Sequence, residues 1–357
     1  MAKDIRALTG VRGVAASIIV LYHFGDVHLF DGGRLLYYPI PYGYLPVDLF
    51  FMLSGYVIGL TYGDKLTAGH LNDFGFFLLK RVARLYPAYL AIAILYVAKI
   101  AAGLSGPDSL TMFSSYDVIG NLLMLTGWGL HVRPLMGVSW AASAEMGSYL
   151  LAPLLLLLTV KRNKLVCGLV ALAALVGVYA VSASGYGASG PLDVVSGDSF
   201  YPLLRAVAGF TLGLAIFRYA GMLDPFSVMA QDVTLLIVLA AIIIAAVAGA
   251  GDLTLYVLFV PLVAVLSRDG RLAQMMFGNA LVYRLGIISY SVYLLHPLFV
   301  SFAVSGWREF GRTGTAYVIA SIACFAGIWL LSEMSYRLVE MPGRKAVVDF
   351  VSRFRRS

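Results

Sequence analysis

The stretch Tyr149-Leu150-Leu151-Ala152-Pro153-Leu154-Leu155-Leu156-Leu157-Leu158-Thr159-Val160, followed at once by Lys161-Arg162-Asn163-Lys164, decides the fold. A run this apolar belongs in lipid, and the cations at its end mark the cytoplasmic face where it emerges. A hydrocarbon core about 30 Å thick needs roughly 20 apolar helical residues. Working outward, ten segments fit that requirement: 8–27, 45–62, 82–102, 138–160, 165–183, 201–217, 233–250, 253–266, 284–305 and 316–334, the eighth being short. Residues 118–130 are also apolar, but counting them as a crossing would put Lys161, Arg162 and Lys164 outside, so they are expected to form a re-entrant or interfacial helix. The expected fold is all-α, a polytopic transmembrane bundle of about ten spans. One membrane domain covers 1–340, and a basic cytoplasmic tail follows at 341–357.

Composition agrees. Of 357 residues, 60% are hydrophobic and 13% are Asp, Glu, Lys or Arg, about half the charged share of a soluble domain. The mean hydropathy is +0.85. A water-soluble enzyme is excluded, and so is a disordered chain, which would be polar and poor in aromatics. The net charge of +7 does not imply nucleic acid, because the basic residues sit singly or in twos and threes at the ends of apolar segments. With the N-terminus inside, only Arg34, Arg133, Arg308 and Arg312 fall on the opposite face, and both termini are cytoplasmic. Cys167 and Cys324 lie within apolar segments, which argues against a disulfide framework or a metal site. The first segment carries Arg12 and His23 and has no clear cleavage site, so it is expected to be retained. The long outer loops, 103–137 and 184–200, are of a length that is usually functional or disordered. No internal repeat supports a transporter architecture.

Ionisable groups inside a membrane are costly, so each is a candidate site. Arg12 and His23 share one face of the first helix, about 16 Å apart along its axis. Snorkelling by Arg12 and an interfacial role for His23 is the equal alternative. Asp48, near the start of the second, antiparallel helix, reaches the depth of His23 and could orient its ring, or else cap the helix. Arg81 and Arg84 lie at i and i+3 at the cytoplasmic mouth of the third helix, next to Lys80. Like charges so placed suit a bound phosphate, the alternative being ordinary anchoring. Glu145, five residues after Trp140, is either a proton carrier, a hydroxyl ligand or an ion-pair partner of Arg12 or Arg205. Ser289, Tyr293 and His296 form a polar stripe on the ninth helix, beside Tyr290 and Pro297.

Together these pieces resemble the membrane-bound acyltransferase 3 family, O-acyltransferases that modify bacterial polysaccharides and related glycans. The resemblance rests on Arg6-Ala7-Leu8-Thr9-Gly10-Val11-Arg12-Gly13 with His23; on Val47-Asp48-Leu49-Phe50-Phe51-Met52-Leu53-Ser54-Gly55-Tyr56; on Lys80-Arg81-Val82-Ala83-Arg84-Leu85-Tyr86-Pro87; on Ser139-Trp140 with Glu145; on Ser289-Tyr290-Ser291-Val292-Tyr293-Leu294-Leu295-His296-Pro297; and on Glu340-Met341-Pro342. The segment Ala141 to Tyr149 departs from the pattern: it lacks the doubled acid and the Phe-Tyr pair often found there. Some relatives carry a C-terminal hydrolase-like domain; here transfer is expected to finish within the membrane unit or on a separate partner.

The resemblance implies a multi-pass protein of the bacterial inner membrane. It uses acyl-coenzyme A, acetyl-coenzyme A first of all, as co-substrate and holds no permanent cofactor and no metal. The acceptor is a hydroxyl of a glycan or lipid-linked saccharide destined for the surface or for export as exopolysaccharide, and polysaccharide-assembly proteins are possible partners. In this reading Arg81 and Arg84 hold donor phosphates and the pantetheine arm passes Arg12 and the tyrosines. His23, oriented by Asp48, deprotonates the acceptor or is itself acylated; Ser54, Tyr293 and His296 donate to the oxyanion; Glu145 binds the acceptor or relays the proton. Trp140 and Tyr290 complete the substrate-binding set. A transporter or flippase for an amphiphilic anion, and a non-catalytic subunit of a polysaccharide-export complex, are the alternatives.

Overall fold

The structure, a computed structural model, describes residues 4–26, 42–67, 71–104, 110–223, 227–310 and 315–354. Each of the ten expected segments is helical. In chain order the helices are α1 (Arg6–Asp26), α2 (Pro46–Thr67), α3 (Leu71–Ala101), α4 (Ser115–Leu122), α5 (Ser139–Leu156), α6 (Lys164–Ser182), α7 (Tyr201–Tyr219), α8 (Val228–Val247), α9 (Asp252–Leu266), α10 (Arg271–Met276), α11 (Ala280–Phe310), α12 (Thr315–Ser335) and α13 (Met341–Phe354). Arg34 and Arg312, used above for orientation, lie outside the described residues.

Among the described residues, seven helices are long and apolar enough to cross a membrane: Arg6–Phe24, Asn72–Ala101, Ser139–Lys161, Lys164–Ser182, Tyr201–Met222, Val228–Val247 and Ile322–Phe350. The eighth expected segment, α9, is apolar but shorter. The protein is therefore a polytopic helical membrane protein, with fewer helices that qualify by composition alone than the ten expected. The difference has a physical reason at α2, which is buried along most of its length and carries Asp48, Asp64 and Lys65. A helix enclosed by other helices needs no lipid-facing apolar surface. The outer helices show the opposite bias: on α8, Ile237, Ile243 and Ile244 are 62%, 63% and 67% exposed, as only a lipid-facing surface tolerates.

Two helix pairs pack backbone against backbone and so position the polar residues. α1 lies on α11, where a Cβ added to Gly13 would sit 2.5 Å from the Gly286 nitrogen. α2 lies on α7, where a Cβ on Gly55 would sit 2.0 Å from the Phe210 carbonyl oxygen. Small residues permit this approach, which is how helices associate once the hydrophobic effect no longer drives them together. The first pair sets Arg12 and His23 on the side of Tyr290, Tyr293 and His296; the second sets Asp48 against Arg205.

The apolar stretch 118–130 is helical only through Leu122, where α4 ends; Val118, Ile119 and Leu122 on it are exposed. The rest turns back over the bundle. It is pinned to α4 by Asp117, whose Oδ1 accepts from the Arg133 amide (2.8 Å), and by Asn121, which donates to the Arg133 carbonyl (2.7 Å) and accepts from the Leu135 amide (2.8 Å). The two long loops meet where the His131 amide donates to the Gly197 carbonyl and its ring contacts Asp198. At the other end, the expected basic tail is the helix α13, joined to α12 through a π-helical turn, Tyr336–Glu340, and packed on α3.

Candidate active site

Three cavities follow one another through the bundle. The largest, about 460 Å³, is walled by Arg12, Arg84, Tyr290, Glu340, Met341 and Arg344, among others. A neck of about 30 Å³ follows, bounded by Arg12, Phe50, Glu145, Tyr290 and Tyr293. Beyond it lies a cavity of about 380 Å³ lined by His23, Tyr44, Trp140, Asp193 and Tyr293. Arg12 and Tyr290 belong to the first two, and Val47 and Tyr293 to the last two, so the three spaces are consecutive. The neck has room for about a water molecule.

The cation-lined end gathers Arg12 from α1, Arg84 from α3 and Arg344 from α13. The Arg12 guanidinium lies 5.5 Å from the Phe50 ring, and its buried Nε has no hydrogen-bond partner. Glu340 shares this cavity and accepts from Ser291. Arg81, expected to act beside Arg84, does not line the cavity. It is 8% exposed and sits among aromatic rings, 5.4 Å from Tyr62, 5.7 Å from Phe77 and 5.8 Å from Tyr149. Three residues along a helix turn the side chain by about 300°, enough to send one arginine into the cavity and the other into packed side chains.

At the neck, Glu145 Oε1 accepts from Ser54 Oγ (2.8 Å) and from the Tyr149 hydroxyl (2.5 Å). Of the two arginines considered as its ion-pair partner, Arg205 is taken by another acid. Ser54 is 3% exposed and lines none of the three spaces; its hydroxyl is committed to Glu145. Tyr290 borders the neck while its hydroxyl donates to the Leu85 carbonyl (3.0 Å), tying α11 to α3.

Asp48 is the largest departure from expectation. Both its oxygens accept from Arg205, Oδ1 from Nε and Oδ2 from Nη2, at 2.8 Å each, with both side chains sealed from solvent. A bidentate pair of this kind satisfies carboxylate and guanidinium together. Asp48 therefore does not orient His23; it neutralises an arginine on α7. Trp140 lies between this pair and the His23 cavity, its ring 5.4 Å from the Arg205 guanidinium. His23 instead stacks on His296, ring centroids 5.0 Å apart and 27° between planes. His296 is fully buried; its Nδ1 lies 2.7 Å from the Tyr293 carbonyl, which makes Nδ1 the donor, and it lines none of the cavities. Its ring packs against His23.

Sequence reasoning did not single out Asp193, Tyr149 or Arg344. Arg205 carried a usable signal, an arginine inside an apolar segment with no acid on its own helix. The other three reach the site only through tertiary packing. No group of His, Cys, Asp and Glu among the described residues could hold a metal ion.

The chain matches the model of a family described as "Acyltransferase domain" over residues 5–333. Among curated proteins it is similar to "Protein 2 in picA locus" of Rhizobium radiobacter, 42% identical over 28% of this chain and 50% of that protein. It is also similar to "Acyltransferase MdmB" of Streptomyces mycarofaciens, 29% identical over 42% of this chain and 38% of the relative. A "Putative O-acetyltransferase" of Staphylococcus aureus (strain COL) is 22% identical over 96% of this chain and 58% of the relative. Each match thus spans less than two thirds of the relative's own length. No solved structure matches.

Proposed function

Because the chain belongs to the acyltransferase 3 family, we propose that it is a ten-span O-acyltransferase of a bacterial inner membrane. It carries an acyl group, acetyl in the first instance, from cytoplasmic acyl-coenzyme A to a hydroxyl of a surface or exported glycan. The observation that carries this reading is the run of three consecutive spaces, with arginines at one end and a histidine at the other. A donor with a polyanionic head and a long neutral arm matches that order of charge.

In this mechanism Arg84, Arg12 and Arg344 meet the donor phosphates with charge-assisted hydrogen bonds. The pantetheine arm then enters the neck, where the rings of Phe50, Tyr290 and Tyr293 turn aside, since the resting opening is only water-sized. The thioester arrives beside Tyr293, whose position on both the neck and the His23 cavity suits its hydroxyl to the developing oxyanion. The acceptor sugar lies against Trp140. His23 takes the hydroxyl proton as the oxygen attacks the acyl carbon. The carbon–sulfur bond breaks, and the imidazolium returns its proton to the departing thiolate. Glu145, held by Ser54 and Tyr149 at the neck, orients the arm or relays a proton.

The test is mass spectrometry of surface glycans from cells carrying the native chain or His23→Ala, with equal membrane levels of each. The native chain should add one acyl mass that the variant fails to add. An unchanged glycan profile on loss of the native chain overturns the reading.

A further inference from the structure

With Asp48 bound to Arg205, the histidine lacks the acid that sequence reasoning assigned to it. Of the residues lining the His23 cavity, Asp193 is the one acid among the described residues, and it is 8% exposed.

The loop that carries Asp193 is fixed with unusual economy of freedom. The Asp193 amide donates to the Gly190 carbonyl (2.8 Å), the Ala188 amide donates to the Asp193 carbonyl (3.0 Å), and the Ser189 amide donates to Asp193 Oδ2 (3.1 Å). The adjacent Leu192 amide donates to Asp252 Oδ2 (2.7 Å), and the Tyr44 hydroxyl donates to both oxygens of the same buried Asp252. Gly190 is required at this crossing, because a Cβ there would lie 1.8 Å from the Tyr44 hydroxyl oxygen. A buried carboxylate on α9, a tyrosine before α2 and a glycine thus combine to hold one exposed-side loop in one place. What that placement delivers is an acid in the wall of the His23 cavity.

We propose that Asp193 is the positioning acid of the site: its carboxylate stabilises the imidazolium formed when His23 accepts the acceptor's proton. This rests on the acyl-transfer reading. No atom is transferred to Asp193. The proton moves from acceptor oxygen to His23 and then to the leaving thiolate, while the fixed negative charge lowers the energy of the state in which the ring is cationic. The other titratable groups around His23 are Tyr293 and His296 from α11, Tyr44 before α2 and Tyr22 on its own helix. The Asp48–Arg205 pair stands behind Trp140.

The experiment uses the full chain in nanodiscs, with acetyl-coenzyme A and extracted glycan as substrates, and compares Asp193→Asn and Asp193→Glu with the native chain. Asparagine keeps an oxygen to accept from the Ser189 amide, so the loop is retained and only the charge is lost. Asp193→Asn should lower kcat/KM by about 10²-fold or more, and Asp193→Glu should restore part of it. Two readouts separate charge from architecture: the acidic limb of the kcat/KM profile should move to lower pH in Asp193→Asn, and the His23 ring, followed by NMR and assigned with His23→Gln, should titrate at lower pH. Lower activity with both readouts unmoved overturns the proposal while leaving the acyl-transfer reading in place. A shifted His23 titration in a native chain that transfers no acyl group preserves the coupling but ends the reading on which its catalytic meaning rests, and the proposal falls with it.

Discussion

Two buried arginine environments stand on either side of Trp140 and Phe50, and they have been completed in opposite ways. Arg205 meets Asp48 through two hydrogen bonds in a space closed to solvent. Arg12, with Arg84 and Arg344, instead lines a cavity of about 460 Å³, and its buried Nε is left without a partner. Both arrangements bear the cost of carrying charge into a membrane protein. Arg205 is matched by its own carboxylate and serves the fold, whereas Arg12, Arg84 and Arg344 share their cavity with Asp4 and Glu340, three cations against two acids, which leaves positive charge in excess there. The sealed pair is the more conspicuous feature, yet the incomplete one is where chemistry is to be sought.

The contrast can be broken most forcefully at the sealed pair. Arg205→Ala or Asp48→Ala leaves a buried charge alone, which should cost about 3–5 kcal/mol of stability. Thermal unfolding in detergent should show the loss; an unchanged melting temperature with abolished transfer would move Asp48 from the fold into the chemistry. Next in size is the open end. Arg84→Ala removes a charge-assisted contact worth about 1.5–3 kcal/mol, so calorimetric affinity for coenzyme A should fall by about 10- to 100-fold. Arg81→Ala, by contrast, should lower the melting temperature and leave that affinity unchanged. Equal effects from the two variants would erase the distinction drawn between them.

The smallest effect belongs to the loop that follows α4. Hydrogen bonds from the Ser114 hydroxyl, the Arg133 amide and the Ser114 amide hold the Asp117 carboxyl below its usual range. A carboxylate depressed in this way stabilises the folded loop above its unfolded pKa, and that contribution is lost as pH falls through the folded value. Loosening is therefore expected only below about pH 4. Amide exchange of residues 115–135 should report it, and Asp117→Asn should make the loop insensitive to acid.

Much of the architecture was legible because lipid imposes a length and a composition on every crossing. Each of the ten segments expected to cross is helical, and the cluster Lys161-Arg162-Asn163-Lys164 falls where α5 gives way to α6. What could not be read was pairing. Asp48 and Arg205 are 157 positions apart, and nothing in either helix announces the other. The doublet Arg81 and Arg84 gave no sign of which side chain faced the cavity, because that depends on how α3 is rotated against its neighbours. Asp193 lay in a loop whose course is dictated by Tyr44 and Asp252, residues distant in sequence. Residues 341–357 read as a tail because their hydropathy drops, whereas Met341 and Arg344 form part of a cavity wall.

The water-sized neck has one further consequence. A catalyst that joins the cytoplasm to the outside through a continuous bore would let protons and sodium run down their gradients between turnovers. A constriction of this size, bounded by Arg12 and Glu145, narrows that path at rest, and in the proposed reaction the neutral arm of the donor would itself act as the stopper during turnover. On the proposed reading, acyl groups would cross in bulk without discharging the membrane's own battery.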